Sequence, residues 1–331
     1  MLKIYLDWNI ITHIDETSPK LLGLLQDYNN LFVFPYTSAH IRDVVHKSDL
    51  SDARLKHDIE LLSSICYKHL LLYEDNRMKP KFCTPKDYIN DYGYLMSLVQ
   101  NTEFISRATY ISLKRLFQNQ IEKTCPDSFK RIQGSSPKNV MANINEFVKT
   151  YMGADNIEQF LRKNCPPDTL KSNEAFFKTL YIMLDFFGFR SEEKKKEYNN
   201  IDADATHIFN ASFCDYIVTS DGRMSAKCSA LYDYYKIQTQ VISPQKLEEI
   251  ILDEVSREYS FKYIFECVNK YGIPRVEEDG NHYKLIRTPI LGLFNACMKV
   301  DETWGKHSGL DGAIFCSLIP QHYNLTLFIS S

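Results

Sequence analysis

The chain has 331 residues, of which 44% are apolar and 24% charged, with a formal net charge of −3. That length exceeds one ordinary core, so two or three modules are expected, and the composition excludes a disordered chain. Nine cysteines occur as an odd set without a C-x-x-C pair and without an apolar N-terminal leader. This argues against zinc fingers and a disulfide scaffold and for reduced thiols in a cytoplasmic setting, and no apolar run approaches the roughly 20 residues needed to span a bilayer.

The first element predicted is a strand, Lys3-Ile4-Tyr5-Leu6, running into Asp7-Trp8-Asn9. An acid just past a parallel strand sits on the rim where open α/β sheets bind ligands, so Asp7 is either a ligand or the cap of the next helix. Leu21, Leu22, Leu24, Leu25 and Tyr28 predict an amphipathic helix, and Leu31-Phe32-Val33-Phe34 a second strand closing a right-handed β-α-β unit. Thr37 or Ser38 then caps a helix with His40, Asp43 and His46 on one face and Ile41, Val44 and Val45 toward the core. Asp43 is thereby placed to face Asp7. His40 and His46 read either as metal ligands or as solvated side chains.

From residue 49 to residue 199 the β-α rhythm stops and helical patterns dominate, with loops at Lys79-Pro80, Pro85, Gly134–Pro137 and Pro166-Pro167, which reads as a helical insertion. Between Asn76 and Thr150 twelve Lys or Arg face six Asp or Glu, a local charge of +6. They are interleaved with Phe82, Tyr88, Tyr92, Tyr94, Phe104, Tyr110 and Phe117. Two readings follow, a surface that guides single-stranded RNA and an ordinary solvated subdomain whose aromatics are core.

The stretch Ile201–Asp221 organises the chain. Ala205, Ile208, Ala211 and Ser212 recur at helical spacing, and Tyr216-Ile217-Val218-Thr219 is a short apolar run expected of a parallel strand covered on both faces. Asp204 falls in the first helical turn and Asp221 just past the strand, with Asp202 as an outlying fifth acid. A last β-α element follows, Thr239–Ser243 and then a helix with Pro244 at its first position. Beyond it a helix is predicted over Phe261–Tyr271, a break at Gly272-Ile273-Pro274, and short strands over 282–286, 290–300, 313–319 and 325–330. Acids outnumber bases twelve to nine from Lys246 to Ser331, so this tail suits contact with a protein partner better than with nucleic acid.

Asp7, Asp43, Asp204 and Asp221 sit at equivalent places, the ends of the elements that build a rim. Clustered carboxylates repel, by roughly 3 kcal/mol for a pair about 5 Å apart at an effective dielectric of about 20, so protons or cations must compensate them. Hard oxygen ligands select Mg²⁺ or Mn²⁺, and such a site hydrolyses phosphodiesters. Asn9, His207, Thr219, Ser220, Arg223 and Lys227 are the candidate substrate contacts. His207 and Asp204 share a helical face, and Arg223 and Lys227 follow Asp221, where they hold a phosphate or are simply solvated.

The residues L-D-W-N after the first strand, P-Y-T-S-A-H-I-R-D-V-V in the second helix, D-A-T-H-I-F-N-A and C-D-Y-I-V-T-S-D together resemble a PIN domain. That resemblance implies a Rossmann-like three-layer α/β/α fold with a parallel central sheet and a metal-dependent endoribonuclease activity. Position by position, Asp7, Asp43, Asp204 and Asp221 match the family's acids, and Thr219 or Ser220 its hydroxyl position. The match covers residues 1–48 and 200–252, leaving 49–199 as a helical insertion and 253–331 as an α+β appendage. The sequence departs from the family in both additions and in carrying Asp where many relatives carry Glu. The expected activity is Mg²⁺- or Mn²⁺-dependent cleavage of single-stranded RNA, compatible with a toxin-like or defence-associated role. The alternatives are a structure-specific DNase on the same fold and a PIN-like module that binds RNA or protein without cutting.

Overall fold

The computed structural model describes residues 2–28, 32–47, 52–91, 107–166, 170–191 and 198–256, together with five strands between 273 and 329. In chain order the elements begin with β1 (Ile4–Leu6), α1 (Trp8–Thr17), α2 (Pro19–Asp27), α3 (Ser38–Lys47), α4 (Asp52–Cys66), β2 (His69–Glu74) and β3 (Arg77–Phe82). A helical stretch follows, with α5 (Arg107–Thr124), α6 (Pro126–Gln133), α7 (Pro137–Phe147), a π-helical turn (Val148–Met152), α8 (Ile157–Asn164) and α9 (Asn173–Phe186). Then come α10 (Tyr198–Ala211), β4 (Tyr216–Val218), α11 (Gly222–Tyr235), β5 (Gln240–Ile242) and α12 (Pro244–Ser256). The last strands are β6 (Ile273–Val276), β7 (His282–Arg287), β8 (Phe294–Val300), β9 (Ala313–Leu318) and β10 (Thr326–Ile329). The architecture is mixed α/β and mostly helical.

Contacts divide the chain into one unit of Lys3–Pro19 and Phe34–Pro244 and another of Met1–Leu2, Lys20–Val33 and Gln245–Ser331. In the first unit three apolar runs make a parallel sheet of order β1-β4-β5, with Leu6 opposite Val218 and Val218 opposite Ile242. Ile4, Tyr5, Leu6, Ile217 and Val218 are all buried, which is why these strands read as continuous apolar runs without alternation. The helices between 107 and 186 share this core: Phe147, Phe187 and Phe189 belong to one buried cluster with Ile208, Ile217 and Leu231. The stretch expected as an insertion is thus part of the body that holds the parallel sheet.

Two local expectations differ. Phe32–Phe34 is no extended strand but pairs at a single bridge residue, Val33, whose N–H donates to Leu2 O at 2.9 Å; after Pro35, Tyr36 makes a parallel bridge to Leu70. Leu31 lies outside the described residues. Lys79-Pro80 is not a loop but the middle of β3, the outer strand of an antiparallel hairpin whose edge tolerates proline. The hairpin closes through Asp75 and Asn76, both at positive φ (52° and 58°), a two-residue turn matching the twist of the strands.

In the second unit Leu21, Leu25, Leu247 and Ile251 are buried, and Lys20 pairs with Glu248 at 2.9 Å. Strands β6 to β10 form an antiparallel meander of order β10-β9-β8-β7-β6. Its four predicted strands are present, and Pro274, expected to help end the preceding helix, lies inside β6, again an edge strand. The helix expected over Phe261–Tyr271 lies outside the described residues. Among the described residues no helix is long and apolar enough to cross a membrane.

One polar cluster fixes the helical side of the first unit. Asp185, fully buried on α9, accepts from Lys114 (2.8 Å) and Tyr110 (2.9 Å) through Oδ2 and from Lys227 (2.9 Å) through Oδ1. The helix carrying it stops at Gly188, whose φ of +82° suits glycine and whose Cβ would lie 3.0 Å from Gln133. Burial alone would raise the Asp185 carboxyl, but Lys227 and Lys114 outweigh it and hold the group below its ordinary 3.8. Its contribution to stability is therefore complete above the ordinary carboxylate range and is lost as pH falls through the lower folded value. Replacing Asp185 by Asn strands two ammonium groups and is expected to cost about 3–5 kcal/mol. The readout is the urea midpoint at neutral pH, and a change under about 0.5 kcal/mol would show that the cluster does not hold the helices.

Candidate active site

The site begins where β1 ends. Asp7 donates its N–H to Val218 O (3.2 Å) on the neighbouring strand, and its carbonyl accepts from Ile10 and Ile11, so it occupies the N-cap position of α1. Its carboxylate nevertheless makes no cap hydrogen bond. The side chain is only 3% exposed. Burial, and then the charge of Asp43, push the carboxyl above its ordinary 3.8 against the pull of His207. The neighbouring Asn9 amide eases this further without closing a cap.

Asp43 comes from α3. Its Oδ2 accepts from His207 Nε2 on α10 at 2.8 Å, so the carboxylate that His207 meets is that of Asp43. Burial would raise the Asp43 carboxyl, yet the hydrogen bond and charge of His207, and then the charge of Arg42, bring it below the ordinary value. For His207 burial works the opposite way and would lower the ring, but Asp43 and then Asp7 outweigh it and raise it above 6.5. The ring uses both nitrogens, since Nδ1 lies 2.8 Å from the Tyr5 hydroxyl.

Behind this pair the polar groups form a closed set. The Tyr5 hydroxyl lies 3.1 Å from Thr37 Oγ1, which also accepts from Asn210 Nδ2 at 3.2 Å. The Thr37 N–H donates to His40 Nδ1 (3.1 Å), so the ring proton is on Nε2 and reaches Leu6 O at 2.8 Å. Burial first, and then the charge of His207, push His40 down to about 3, a neutral ring. With both nitrogens engaged inside the protein, His40 is a tie between α3 and β1. The His46 side chain lies outside the described residues.

The remaining predicted residues are placed as follows. Asp204, partly buried, lies one turn before His207 on α10. Asp221 caps α11, its Oδ1 accepting from the N–H groups of Arg223 (2.8 Å) and Met224 (3.0 Å). Asp7 and Asp221 thus follow neighbouring parallel strands at the same rim of the sheet. Thr219 is buried, its Oγ1 accepting from the Asp221 N–H at 3.2 Å, so it shapes the turn, while Ser220 and Asn9 are exposed and Arg223 is partly buried. Lys227 corrects the sequence reading: fully buried and paired with Asp185, it cannot reach a phosphate at the rim. Helical periodicity explains this, since Met224, Lys227, Cys228 and Leu231 share the inner face of α11. Trp8 is core.

Arg42 and Lys178 were not foreseen. Both bind Asp202, Arg42 Nη1 at 3.2 Å and Lys178 Nζ at 2.9 Å. Charges therefore alternate from Lys178 to Asp202, Arg42 and Asp43. Among the described residues no group of three or more His, Cys, Asp or Glu side chains is placed to hold a metal ion. The structure brings Asp7, Asp43 and His207 into electrostatic reach of one another, with Asp204 and Asp221 on the elements beside them.

The pair makes a direct expectation. By imidazole NMR His207 should titrate above 6.5, and Asp43→Asn should remove the elevation; a wild-type ring at or below 6.5 would contradict the pairing. Because the His207 pKa is raised, its contribution to stability is complete below the ordinary histidine value and is lost as pH rises through the folded one. No protein-family model, curated protein or solved structure matches the chain.

Proposed function

We propose that the chain is a divalent-metal-dependent endoribonuclease with a Rossmann-like, PIN-like α/β core, acting on single-stranded RNA. The observation that carries this reading is Asp7: a buried carboxylate past the end of the first parallel strand, at a cap position it does not use, with its carboxyl raised by burial and by a second acid. The ionised form of such a group is costly unless a proton or a cation answers it, and a bound cation would favour the ionised form.

The chemistry of the donors favours Mg²⁺ or Mn²⁺. Magnesium is commonly held by one or two carboxylates, with waters and substrate phosphates filling the remaining positions, so it does not require a cage of three protein ligands. Asp7 would hold the ion, with Asp204 and Asp221 on the adjoining elements and Asp43 closing the shell. When bound, the ion supplies charge stabilisation at the phosphoryl oxygens and a water of lowered pKa. The chain itself supplies orientation. His207 fixes the Asp43 carboxylate, Tyr5 fixes His207, and the buried set of Thr37, Asn210 and His40 fixes the elements that carry them.

A protein partner engaging the C-terminal strands, a cytoplasmic location and a toxin-like or defence role belong to the same proposal; the acid-rich tail supports the partner. The test is cleavage of a labelled single-stranded RNA with Mg²⁺ or Mn²⁺. Chelation by EDTA should abolish it and added metal restore it. Asp7→Asn and Asp204→Asn should each lower kcat/KM by about 10³-fold, corresponding to several kcal/mol of charge stabilisation. Wild-type turnover in either variant, or undiminished cleavage in EDTA, would defeat the proposal. Cleavage of DNA alone would move it to the DNase reading.

A further inference from the structure

Of the aromatics interleaved with basic residues between Asn76 and Thr150, the structure separates core from surface. Tyr88 and Tyr110 are buried, and Phe117 packs against the core. Tyr92, Tyr94 and Phe104 lie outside the described residues. Phe82, at the end of β3, is 74% exposed, and Tyr67, just ahead of β2, is 48% exposed. The two are joined by His69, whose ring centroid is 5.7 Å from that of Phe82 and 6.4 Å from that of Tyr67. Phe82 and His69 are direct cross-strand partners, so their side chains share one face of the hairpin. The result is an open row of three rings.

The charge around this row is net positive. From Tyr67 to Lys86 there are five Lys or Arg and two Asp or Glu, a net +3. Both acids, Glu74 and Asp75, are engaged by Lys79, at 3.5 and 2.7 Å. Lys68, Lys81 and Lys86 are exposed, and Lys68 Nζ stands 5.5 Å from the Tyr67 ring centroid. We infer that the base of the β2–β3 hairpin is a docking surface for single-stranded RNA, with Phe82, His69 and Tyr67 as a stacking platform for bases and Lys68 and Lys86 beside the phosphates. The choice of RNA rests on the nuclease reading above; the stacking and charge argument does not.

Another protein strand is a poorer occupant. The outer edge of β3 carries Lys79, Pro80 and Lys81, residues that discourage a further strand from pairing there. Bases stack on aromatic faces irrespective of sequence, and a basic surround tracks the backbone. The platform is also tied to the site by hydrogen bonds. Tyr36 donates its hydroxyl to Cys83 O (2.7 Å), the residue after Phe82, and its N–H to His69 O (2.9 Å). The next residue, Thr37, is in the buried set behind Asp43 and His207.

The test is binding of the full-length protein to fluorescein-labelled U20 in EDTA, read by anisotropy, so that neither metal nor cleavage enters. Phe82→Ala should weaken binding by roughly 5- to 100-fold and Phe82→Trp should restore it. Lys68→Ala should lower affinity and reduce the slope of log affinity against log salt by about one contact. A 20-base-pair RNA duplex, whose bases cannot stack on the platform, should bind more weakly than U20. Because Phe82 is exposed, unchanged far-UV circular dichroism is expected for its variants. Wild-type affinity in Phe82→Ala overturns the inference, as does equal binding of duplex and single strand, or a dimer by sedimentation that Phe82→Ala dissolves. Binding that behaves as expected in a protein that never cleaves with Mg²⁺ or Mn²⁺ would leave this surface standing and remove only the nuclease reading.

Discussion

A carboxylate held inside a protein must have its charge answered, and for Asp43 the answer is His207 at 2.8 Å. The rest of the rim depends on that contact. Because His207 and Arg42 compensate Asp43, its carboxyl falls below its ordinary value while that of Asp7, nearby and more deeply enclosed, rises above its own. Two acids with environments of opposite effect are a common way of dividing roles between like groups. Here burial dominates at Asp7 and the imidazole of His207 dominates at Asp43.

The fold spends a central strand position on this arrangement. Tyr5 is fully buried in β1, where an aliphatic side chain would pack without a polar atom to satisfy, yet its hydroxyl reaches His207 and Thr37. Phenylalanine there would keep the packing and leave the buried His207 Nδ1 without its hydroxyl partner, which costs more than the lost bond alone. The hydroxyl of Thr37, the amide of Asn210 and the neutral ring of His40 continue the same accounting, tying α3 and α10 to the end of β1. Networks of this kind specify one arrangement of the elements they join, because a partly satisfied version is worse than none.

How much of this was legible in the sequence follows from the range of each signal. The apolar runs at Ile4–Leu6, Tyr216–Val218 and Gln240–Ile242 are local, and all three are strands of the parallel sheet. The acids at the ends of these elements were visible for the same reason. The partner of Asp43 was not, since His207 is 164 residues away and nothing local distinguishes its ring from any other histidine on a helix. The hairpin was missed because Lys79-Pro80 looks like a loop until one sees that its strand lies at an edge. The apolar run before Pro35 misled in the opposite sense, since composition favours a strand there and the pairing is confined to one bridge residue, Val33.

Lysine illustrates why counting charges along the chain is a weak guide to partners. Lys227 and Lys114 hold Asp185 within the core, and Lys178 is paired with Asp202. None of these is a cation available to a polyanion in the way a count implies. The +6 between Asn76 and Thr150 therefore overstates the charge presented to solvent, since Lys114 is one of the twelve bases and turns inward. What distinguishes the base of the hairpin is that Lys68 is exposed beside an exposed ring, that of Tyr67. A buried ammonium must be matched by an anion of the same chain, while a solvated one keeps its counterions until a phosphate releases them. Burial, more than residue type, decides which of these lysines belong to the fold and which face outward.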